Sequence, residues 1–413
     1  MSLLHDLQRE EVWNDFFTYR KDHEQLSRRE IYELTSFLAE RRYEQFKDLS
    51  FSYPVKKLIA KTGSVKKRIV YSYSPDEMWM LKLLAYLLFR YEDKLPDSCY
   101  AFRKNRSVRD ALEEIRKIRD LDSKTVVKAD IHDYFNSIDT DVLSEILEEV
   151  IDDDPELLEF LNSLLHQDRC LFEGELIEEK RGAMAGVPLA SFFANIYLIS
   201  LDRYFEEKGI PYFRYSDDIL FFAESDEEAG RYYRILLEKI EEKKLTINPE
   251  KVSVSHAQEP WEFLGIRYEG GDYDLSHVTV QKMKDRIRRK ARSLYRKRKR
   301  NGTSYEKTAA AFIRSMDYKF YDLFGENAFT WTRWYFPVLT STKGLHEIDE
   351  TMVQYLRYLK TGRHYKGNYK TSYEELKKLG YTSLVHEFYT WKKENVKLRE
   401  QYEKQSSLMK TAE

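Results

Sequence analysis

The chain has 413 residues, enough for roughly two or three packed subdomains. Its composition, 42% hydrophobic, 15% aromatic and 34% charged, excludes a disordered protein and predicts an ordered globular one. The net charge of −2 excludes a uniform polycation, so charge has to be judged segment by segment. The only cysteines are Cys99 and Cys170, which excludes a disulfide framework or a cysteine zinc module and fits a reducing compartment.

The first part of the chain predicts helices followed by a short hairpin. Residues 1–50 have helical patterning, and Ser27 and Glu30 have the spacing of a capping box. KTGSVKKRIVYSY predicts two short strands around a turn at Gly63, and Pro75 predicts the start of an apolar helix. The charged N-terminus is unlike a signal peptide, and no apolar run reaches the roughly 20 residues that span a bilayer. We therefore expect a soluble cytoplasmic protein without membrane contact.

The middle of the chain alternates strands and helices. In chain order the pattern predicts a strand at 124–131, helices at 139–165, one strongly apolar helix at 189–205, a hairpin of 211–215 and 219–223, a helix at 226–244, strands near 252–255 and 262–268, and a turn at Gly270-Gly271. This order predicts an α+β fold in which helices pack on one face of a small antiparallel sheet.

Three carboxylates in this segment have the character of a metal site. Asp130 ends an apolar strand, and Asp217 and Asp218 stand side by side in the hairpin turn. Adjacent carboxylates in a buried turn repel each other unless a cation lies near them. Two Mg²⁺ ions about 4 Å apart, or Mn²⁺ in their place, would use such ligands in nucleotidyl transfer. Aspartate is also common in turns, so an isolated Asp-Asp pair would indicate only a turn.

Six segments, in order over residues 60–268, resemble motifs of the reverse transcriptase family, and one of them is similar to the RGxPQGxPxSPxLANxxL element of group II intron-type and other bacterial members. The segments are KKRIVYSYSPDE (66–77, fingers), SCYAFRKNRSVRDAL (98–112), VVKADIHDYFNSID (126–139, first palm motif), RGAMAGVPLASFFANIYL (181–198), YSDD (215–218, the YxDD box) and FLGIRY (263–268, primer grip). The resemblance implies a right-hand polymerase with fingers, palm and thumb that copies RNA into DNA.

The resemblance also implies roles for the residues at matching positions. Asp130, Asp217 and Asp218 would bind the metal ions and carry catalysis. Phe135 would block a ribose 2′-hydroxyl and so favour dNTPs, and Lys251 would lie near the leaving pyrophosphate as a general acid. The other nucleotide-binding positions would be Lys67, Arg68, Ile131, Ala185 and Gly186, of which Lys67 and Arg68 would contact the triphosphate. Ordinary core packing of Phe135 and solvent exposure of the lysines and Arg68 are the simpler alternatives.

Ala185 departs from the family pattern. Most members have glutamine where this chain has Ala185, in the sequence Met184-Ala185-Gly186, and that glutamine usually contacts the nucleotide. Gly186 still permits a close approach of the backbone. Similar glutamine-free versions occur among bacterial reverse transcriptases of phage-defence groups. The departure therefore favours a defence role in which a dedicated noncoding RNA is the template.

Residues 282–300 predict a basic amphipathic helix. They contain 12 Lys or Arg and one Asp, and Met283, Ile287, Ala291 and Leu294 fall on one face. The resemblance places this helix in the thumb, where it would follow the phosphates of template and primer, although a solvated surface helix is the simpler alternative. The residues expected to contact template and primer are Arg103, Arg106, Lys284, Arg288, Arg292 and Arg296. Residues 301–413 predict aromatic-rich helices and contain no second acidic active site of the kind that an RNase H, integrase or HNH nuclease would need.

We expect five parts along the chain: an N-terminal helical extension (1–50), fingers and the start of the palm (51–125), the palm (126–272), a basic thumb (273–340) and a C-terminal helical region (341–413). The expected partners are an RNA template, the cDNA product and dNTPs, and a homo-oligomer is compatible with the sequence. The alternatives are a template-independent DNA polymerase, an RNA-synthesising polymerase, a noncatalytic RNA-binding scaffold and a nucleotide cyclase. Three intact acids argue against the scaffold, and the basic helix argues against the cyclase.

Overall fold

The computed structural model describes residues 2–23, 26–60, 67–180, 182–321 and 330–396. The chain separates into two units, Met1–Glu259 and Pro260–Glu413. Both units mix helices with antiparallel strands, which agrees with the predicted α+β class. The boundary between the units lies before residue 272, where we expected the palm to end, and the five-part division of the chain stays a prediction.

The first unit contains most of the strands. Its helices are α1 (Leu3–Asp6), α2 (Glu10–His23), α3 (Arg28–Ala39), α4 (Pro75–Leu87), α5 (Val108–Ile115), α6 (Tyr134–Ser137), α7 (Thr140–Val150), α8 (Pro155–Leu165), α9 (Ala190–Tyr197), α10 (Ile199–Glu207) and α11 (Asp226–Glu242). Its strands are β1 (Val55–Ala60), β2 (Lys67–Ser72), β3 (Thr125–Asp130), β4 (Arg169–Phe172), β5 (Glu175–Glu178), β6 (Tyr212–Tyr215), β7 (Asp218–Ala223) and β8 (Ser253–Ser255).

Local capping explains where several helices begin. The Ser27 side chain accepts from the Glu30 N–H while the Glu30 carboxylate accepts from the Ser27 N–H, so the predicted capping box is confirmed. Ser74 forms the same arrangement with Glu77 at the start of α4, where Pro75 occupies the first turn. The apolar segment 189–205, predicted as one helix, forms two, because the backbone at Leu198 (φ −107°, ψ 13°) leaves helical geometry between α9 and α10.

Two four-stranded sheets organise the first unit. One has the order β2-β1-β4-β5, and within it β1 pairs antiparallel with β2, as predicted for the hairpin around Gly63, a residue outside the described part of the chain. The β4–β5 hairpin was not predicted, because Phe172 and Ile177 are the only aromatic or β-branched residues in its two strands. The other sheet has the order β6-β7-β3-β8, with α10 packed against β6 and α11 against β3 and β7. Its strand β3 is almost entirely buried.

The second unit joins a small sheet to helices. Its strands are β9 (Trp261–Phe263), β10 (Ile266–Glu269) and β11 (Asp272–Leu275), and its helices are α12 (His277–Asn301), α13 (Tyr305–Phe320), α14 (Trp331–Tyr335), α15 (Lys343–Thr361), α16 (Tyr373–Lys378) and α17 (384–396). The strand predicted at 262–268 is broken by a turn at Leu264 and Gly265, which both have positive φ. On α12, Met283, Ile287 and Ala291 are buried, which confirms the predicted apolar face.

Candidate active site

The β6-β7-β3-β8 sheet of the first unit brings the three predicted acids together. In the antiparallel pairing of β3 with β7, Asp130 lies directly opposite Asp218. Residues paired in this way have Cβ atoms about 5 Å apart. Asp217 lies in the turn between β6 and β7, where Ser216 has a φ of +61°, and its carbonyl accepts from the Ile131 N–H at 3.1 Å. Acids about 87 positions apart in sequence (217 against 130) therefore meet at one end of one sheet.

Burial and mutual repulsion perturb this cluster. Asp130 is only 5% exposed. Burial raises the pKa of Asp217 above its ordinary value, and the charges of Asp218 and Asp130 raise it further. Burial also raises the pKa of Asp218, with Lys128 acting in the opposite direction. A cluster of this kind is stabilised by any cation that approaches it.

Two lysines supply positive charge to the cluster. The Lys251 Nζ donates to both carboxylate oxygens of Asp130 at 2.6 Å. The Lys128 Nζ lies 3.6 Å from the nearer carboxylate oxygen of Asp218. Lys128 was not among the predicted site residues, although strand alternation places it on the same face of β3 as Asp130. Lys251 was expected near a pyrophosphate, whereas in this conformation it pairs with Asp130.

The side chains of Asp130, Asp217 and Asp218 fit a hard divalent cation, because all three are carboxylates, the oxygen ligands that such ions prefer. The repulsion of Asp217 by Asp218 and Asp130, which adds to the effect of burial in raising its pKa, would be relieved by a bound cation. Across the described ranges, however, no group of three or more His, Cys, Asp or Glu side chains is arranged so that it could hold a metal ion. In this conformation the Asp130 carboxylate is occupied by its ion pair with Lys251. A metal ion would have to compete with this ammonium for the Asp130 carboxylate.

Three aromatic rings lie beside the acids. Phe135, the predicted sugar-screening residue, follows β3 and makes an edge contact with Phe102, with ring centroids 6.2 Å apart. Phe102 also lies 6.4 Å from Tyr215, the residue that ends β6. Phe102 was not predicted as a site residue, yet it is 42% exposed and has a positive φ of 55°, which is unusual for a bulky side chain. Phe135 and Tyr215 are therefore linked through one exposed ring.

The segment 182–187 joins two other predicted nucleotide-binding regions. The Tyr71 N–H on β2 donates to the Ala185 carbonyl at 2.7 Å. Gly186 has a φ of +99°, and a Cβ there would lie 2.8 Å from the Tyr71 carbonyl oxygen, so only glycine fits. The segment thus approaches β2, which carries Lys67 and Arg68 as exposed residues at its first two positions.

Some predicted contacts are directed into the protein. The Arg103 guanidinium donates to the Glu92 carboxylate and to the carbonyls of Glu92, Pro96 and Cys99, and its side chain is only 8% exposed. Arg103 therefore holds the protein's own backbone, which corrects its expected role as a template–primer contact. Ile131 is 1% exposed, so a nucleotide would meet its backbone and not its side chain.

The other predicted template–primer residues lie nearer the surface. Arg106, in the first unit, pairs with Asp97. In the second unit, Lys284 pairs with Glu347, and Arg288 pairs with Asp285 at 2.8 Å. Arg292 and Arg296 are exposed on α12. The structure therefore leaves α12 with a basic outer surface that is partly neutralised by acidic neighbours.

A buried ion pair supports the β6–β7 hairpin, whose turn contains Asp217. Arg214 on β6 and Asp202 on α10 are both 0% exposed, and their closest nitrogen and oxygen atoms lie 2.5 Å apart. Arg214 also donates to the carbonyls of Asn195 and Ser216, at 3.1 and 3.4 Å. The pair joins α9, α10 and the turn that contains Asp217. Sequence reasoning missed it because nothing local marks the two residues as partners.

Residues 59–268, just over half of the chain, match the protein-family model described as reverse transcriptase (RNA-dependent DNA polymerase). The matched range contains the three acids and the aromatic rings beside them. The Escherichia coli protein named retron Ec48 reverse transcriptase is 27% identical over 283 residues, which is 65% of this chain. The chain covers 64% of that curated relative, slightly less than two thirds of its length.

Solved structures of telomerase are among those that this chain resembles. Apo telomerase from Candida tropicalis has a TM-score of 0.47 at 13% identity, covering 76% of this chain and 64% of that one. Telomerase from Candida albicans, in complex with a fragment of telomeric RNA, has a TM-score of 0.42 at 13% identity, covering 84% of this chain and 68% of that one.

None of the helices in the described part of this chain combines the length and apolar character needed to cross a membrane.

Proposed function

Because the chain belongs to the reverse transcriptase family, we propose that it is an RNA-directed DNA polymerase with its catalytic centre in the first unit. The observation that carries the proposal is the register of β3 and β7, which sets Asp130 opposite Asp218 beside the turn that bears Asp217. An acidic cluster of this kind, buried at a sheet end, is costly to the fold and is suited to binding divalent metal ions.

Each residue of the cluster would have a defined part in the reaction. We propose that Asp130, Asp217 and Asp218 hold two Mg²⁺ ions, which when bound would polarise the primer 3′-hydroxyl and stabilise charge on the leaving pyrophosphate. Lys251 and Lys128 orient the carboxylates of Asp130 and Asp218 by ion pairing. Members of this family generally use divalent metal ions, and the choice of Mg²⁺ in a pair is our proposal.

Substrate selection would depend on the aromatic rings and the β2 edge. The proposed role of Phe135 is to exclude a ribose 2′-hydroxyl by steric contact, and Phe102 supports the Phe135 ring from the side. Lys67 and Arg68 would bind the triphosphate as exposed cations. The short side chain of Ala185 offers no hydrogen bond to the nucleotide, so contacts at this position would come from the backbone.

Primer extension with purified protein tests the proposal. An RNA template with an annealed DNA primer, all four dNTPs and Mg²⁺ should give full-length product. Asp217→Asn should reduce the rate by at least about 1,000-fold, because metal ions contribute several kcal/mol of transition-state stabilisation. Asp141→Asn, on the exposed side of α7, is the matched control and should retain activity. Equal activity of the two variants would contradict the proposed centre.

The same reaction separates the alternative polymerase activities. Each dNTP or NTP is supplied singly, with and without template. Extension that requires the template and a complementary dNTP supports RNA-directed DNA synthesis. Incorporation without template would indicate a terminal transferase, and incorporation of NTPs would indicate RNA synthesis.

We further propose that the template is a noncoding RNA and that the protein acts in antiphage defence. Support comes from Ala185 in place of glutamine and from the relative named as the reverse transcriptase of a retron. Sequencing the nucleic acid that copurifies from the native host would identify the template. Phage plating on cells with the intact gene or with Asp217→Ala and Asp218→Ala tests the role, and equal protection by both would contradict it.

A further inference from the structure

Phe102 is exposed, has a strained backbone and lies beside the acidic cluster. Its large apolar side chain is 42% exposed, and its φ is +55°. Its ring contacts that of Phe135 and also that of Tyr215, the strand partner of Asp218. A left-handed backbone is unfavourable for a bulky side chain, and residues held in this way cluster at functional sites. Packing of the core therefore gives no sufficient reason for a phenylalanine at this position.

Hydrogen bonds to the neighbouring main chain fix the backbone around Phe102. The Asn195 Nδ2, in a residue that is 1% exposed, donates to the carbonyl of Ala101 at 2.7 Å. The Arg103 guanidinium, with a side chain that is 8% exposed, donates to the carbonyl of Cys99 at 3.2 Å. These bonds do not involve the Phe102 ring, so they hold the backbone conformation whatever side chain stands at position 102.

The ring of Phe135 has one buried and one exposed aromatic neighbour. It lies 5.8 Å from the ring of Tyr134, which is 2% exposed, and 6.2 Å from the ring of Phe102, at an interplanar angle of 71°. The Phe135 carbonyl accepts from the Ala183 N–H at 2.8 Å, a bond that fixes the main chain and not the ring. An edge-on pair of aromatic rings favours one relative orientation. Loss of the Phe102 ring would therefore allow the Phe135 ring further orientations.

We propose that Phe102 is a specificity-determining residue that acts through Phe135. Phe102 keeps the Phe135 ring in the orientation that excludes a ribose 2′-hydroxyl by steric contact. Its exposed ring and strained backbone, both unfavourable to the fold, are retained for this discrimination. The inference rests on the proposed function, because the screening of the sugar by Phe135 is its premise.

Single-nucleotide extension of a DNA primer on an RNA template tests the inference. The ratio of kcat/KM for a dNTP to that for the matching NTP measures the discrimination. Phe102→Leu keeps an apolar side chain on the same backbone but removes the ring, whereas Phe102→Tyr keeps the ring. Tyr373→Leu in the second unit is the matched control, because Tyr373 is similarly exposed (39%) and makes an edge contact with Tyr381 at 5.9 Å. Urea unfolding shows whether each variant is folded.

Phe102→Leu should reduce the discrimination against NTPs by about 2- to 13-fold, the range that corresponds to the loss of one aromatic pair contact. Phe102→Tyr and Tyr373→Leu should retain the discrimination of the wild-type protein. In a Phe135→Ala background, Phe102→Leu should have no further effect, because the ring that it holds is gone.

Two results would overturn the inference. One is an equal fall in kcat/KM for both nucleotides in Phe102→Leu, or no fall at all, since a merely structural residue leaves the ratio unchanged. The other is a loss of discrimination that persists undiminished in the Phe135→Ala background, which would show that Phe102 does not act through Phe135.

The same assay separates this inference from the proposed function. Relaxed discrimination in Phe135→Ala but not in Phe102→Leu would refute the role of Phe102 alone. Unchanged discrimination in Phe135→Ala would refute the screening of the sugar and, with it, the inference. No extension by the wild-type protein would refute the polymerase activity itself.

Discussion

Replacement of Asp202 by asparagine tests how the β6–β7 hairpin is held in place. The Asp202 carboxylate accepts from Arg214 at 2.8 and 2.5 Å and from the Tyr212 hydroxyl at 3.0 Å, in a region with no solvent exposure. Burial opposes the charge on Arg214, but the adjacent Asp202 holds the pKa of the guanidinium well above its ordinary value. Arg214 therefore stays charged, and the asparagine would leave that charge buried without a counterion.

The expected cost follows from this geometry. Removal of one partner from a buried ion pair costs about 3–5 kcal/mol, because the other charge remains desolvated. With a urea m-value of about 3 kcal/mol/M, the unfolding midpoint would fall by about 1–1.7 M. Equilibrium urea unfolding followed by tryptophan fluorescence and circular dichroism measures this shift. Unchanged m-values would show that the unfolding reaction itself is the same.

A double variant separates stability from catalysis. Asp202→Leu with Arg214→Met removes both charges and should recover most of the lost stability, since well-packed apolar replacements of buried pairs are often neutral or better. The double variant should nevertheless extend primers more slowly than the wild-type protein, because the methionine cannot replace the hydrogen bond that Arg214 donates to the carbonyl of Ser216, next to Asp217. If Asp202→Asn lowers stability by less than about 1 kcal/mol, or if the double variant is fully active, the reasoning about this pair is refuted.

Three further substitutions test the site and the second unit. Phe135→Ala should raise incorporation of NTPs relative to dNTPs by about 10- to 200-fold, measured by single-nucleotide extension, and unchanged discrimination would exclude a screening role. Gly182→Ala should destabilise the protein by about 1–3 kcal/mol more than Gly209→Ala in urea unfolding, because a Cβ at position 182 would lie 2.5 Å from the Phe135 carbonyl oxygen. Gly209→Ala is the matched control, since Gly209 also has a positive φ but has open space around it. Burial, and then the charge of Glu387, raises the pKa of Asp317 from 3.8 to about 6, so the wild-type fold loses stability as pH rises through this window. Asp317→Asn should therefore match wild type in melting temperature near pH 4 and exceed it at pH 8, and a pH-independent difference would contradict this assignment.

Local sequence patterns predicted most elements of the first unit. The β3 strand follows from β-branched residues in KTVVKADI, and the capping box at Ser27 follows from a serine three positions before a glutamate. These signals act over a few residues and need no partner. The β4–β5 hairpin and the division at Leu198 were missed, because strands with few aromatic or β-branched residues and a local change of backbone angle leave little trace in the sequence pattern.

The site residues likewise divide into those that the sequence identified and those that only the structure identified. The acids were found because their motif spacing is distinctive, and Lys128 could have been found from its alternation with Asp130 along β3. Arg103, in the motif-like segment 98–112, was predicted to contact template and primer, whereas the structure directs its guanidinium onto Glu92 and three carbonyls. The direction of a long, charged side chain depends on its neighbours in space.

By itself the sequence indicated the α+β class of the fold, most strands of the first unit and three acids at strand ends, because each of these leaves a short-range pattern. Only the tertiary structure decided which residues meet: the pairing of Asp130 with Asp218, and the buried ion pair of Arg214 with Asp202 next to the β6–β7 hairpin. These contacts join segments far apart in the chain, and their energies depend on burial, which no local pattern specifies.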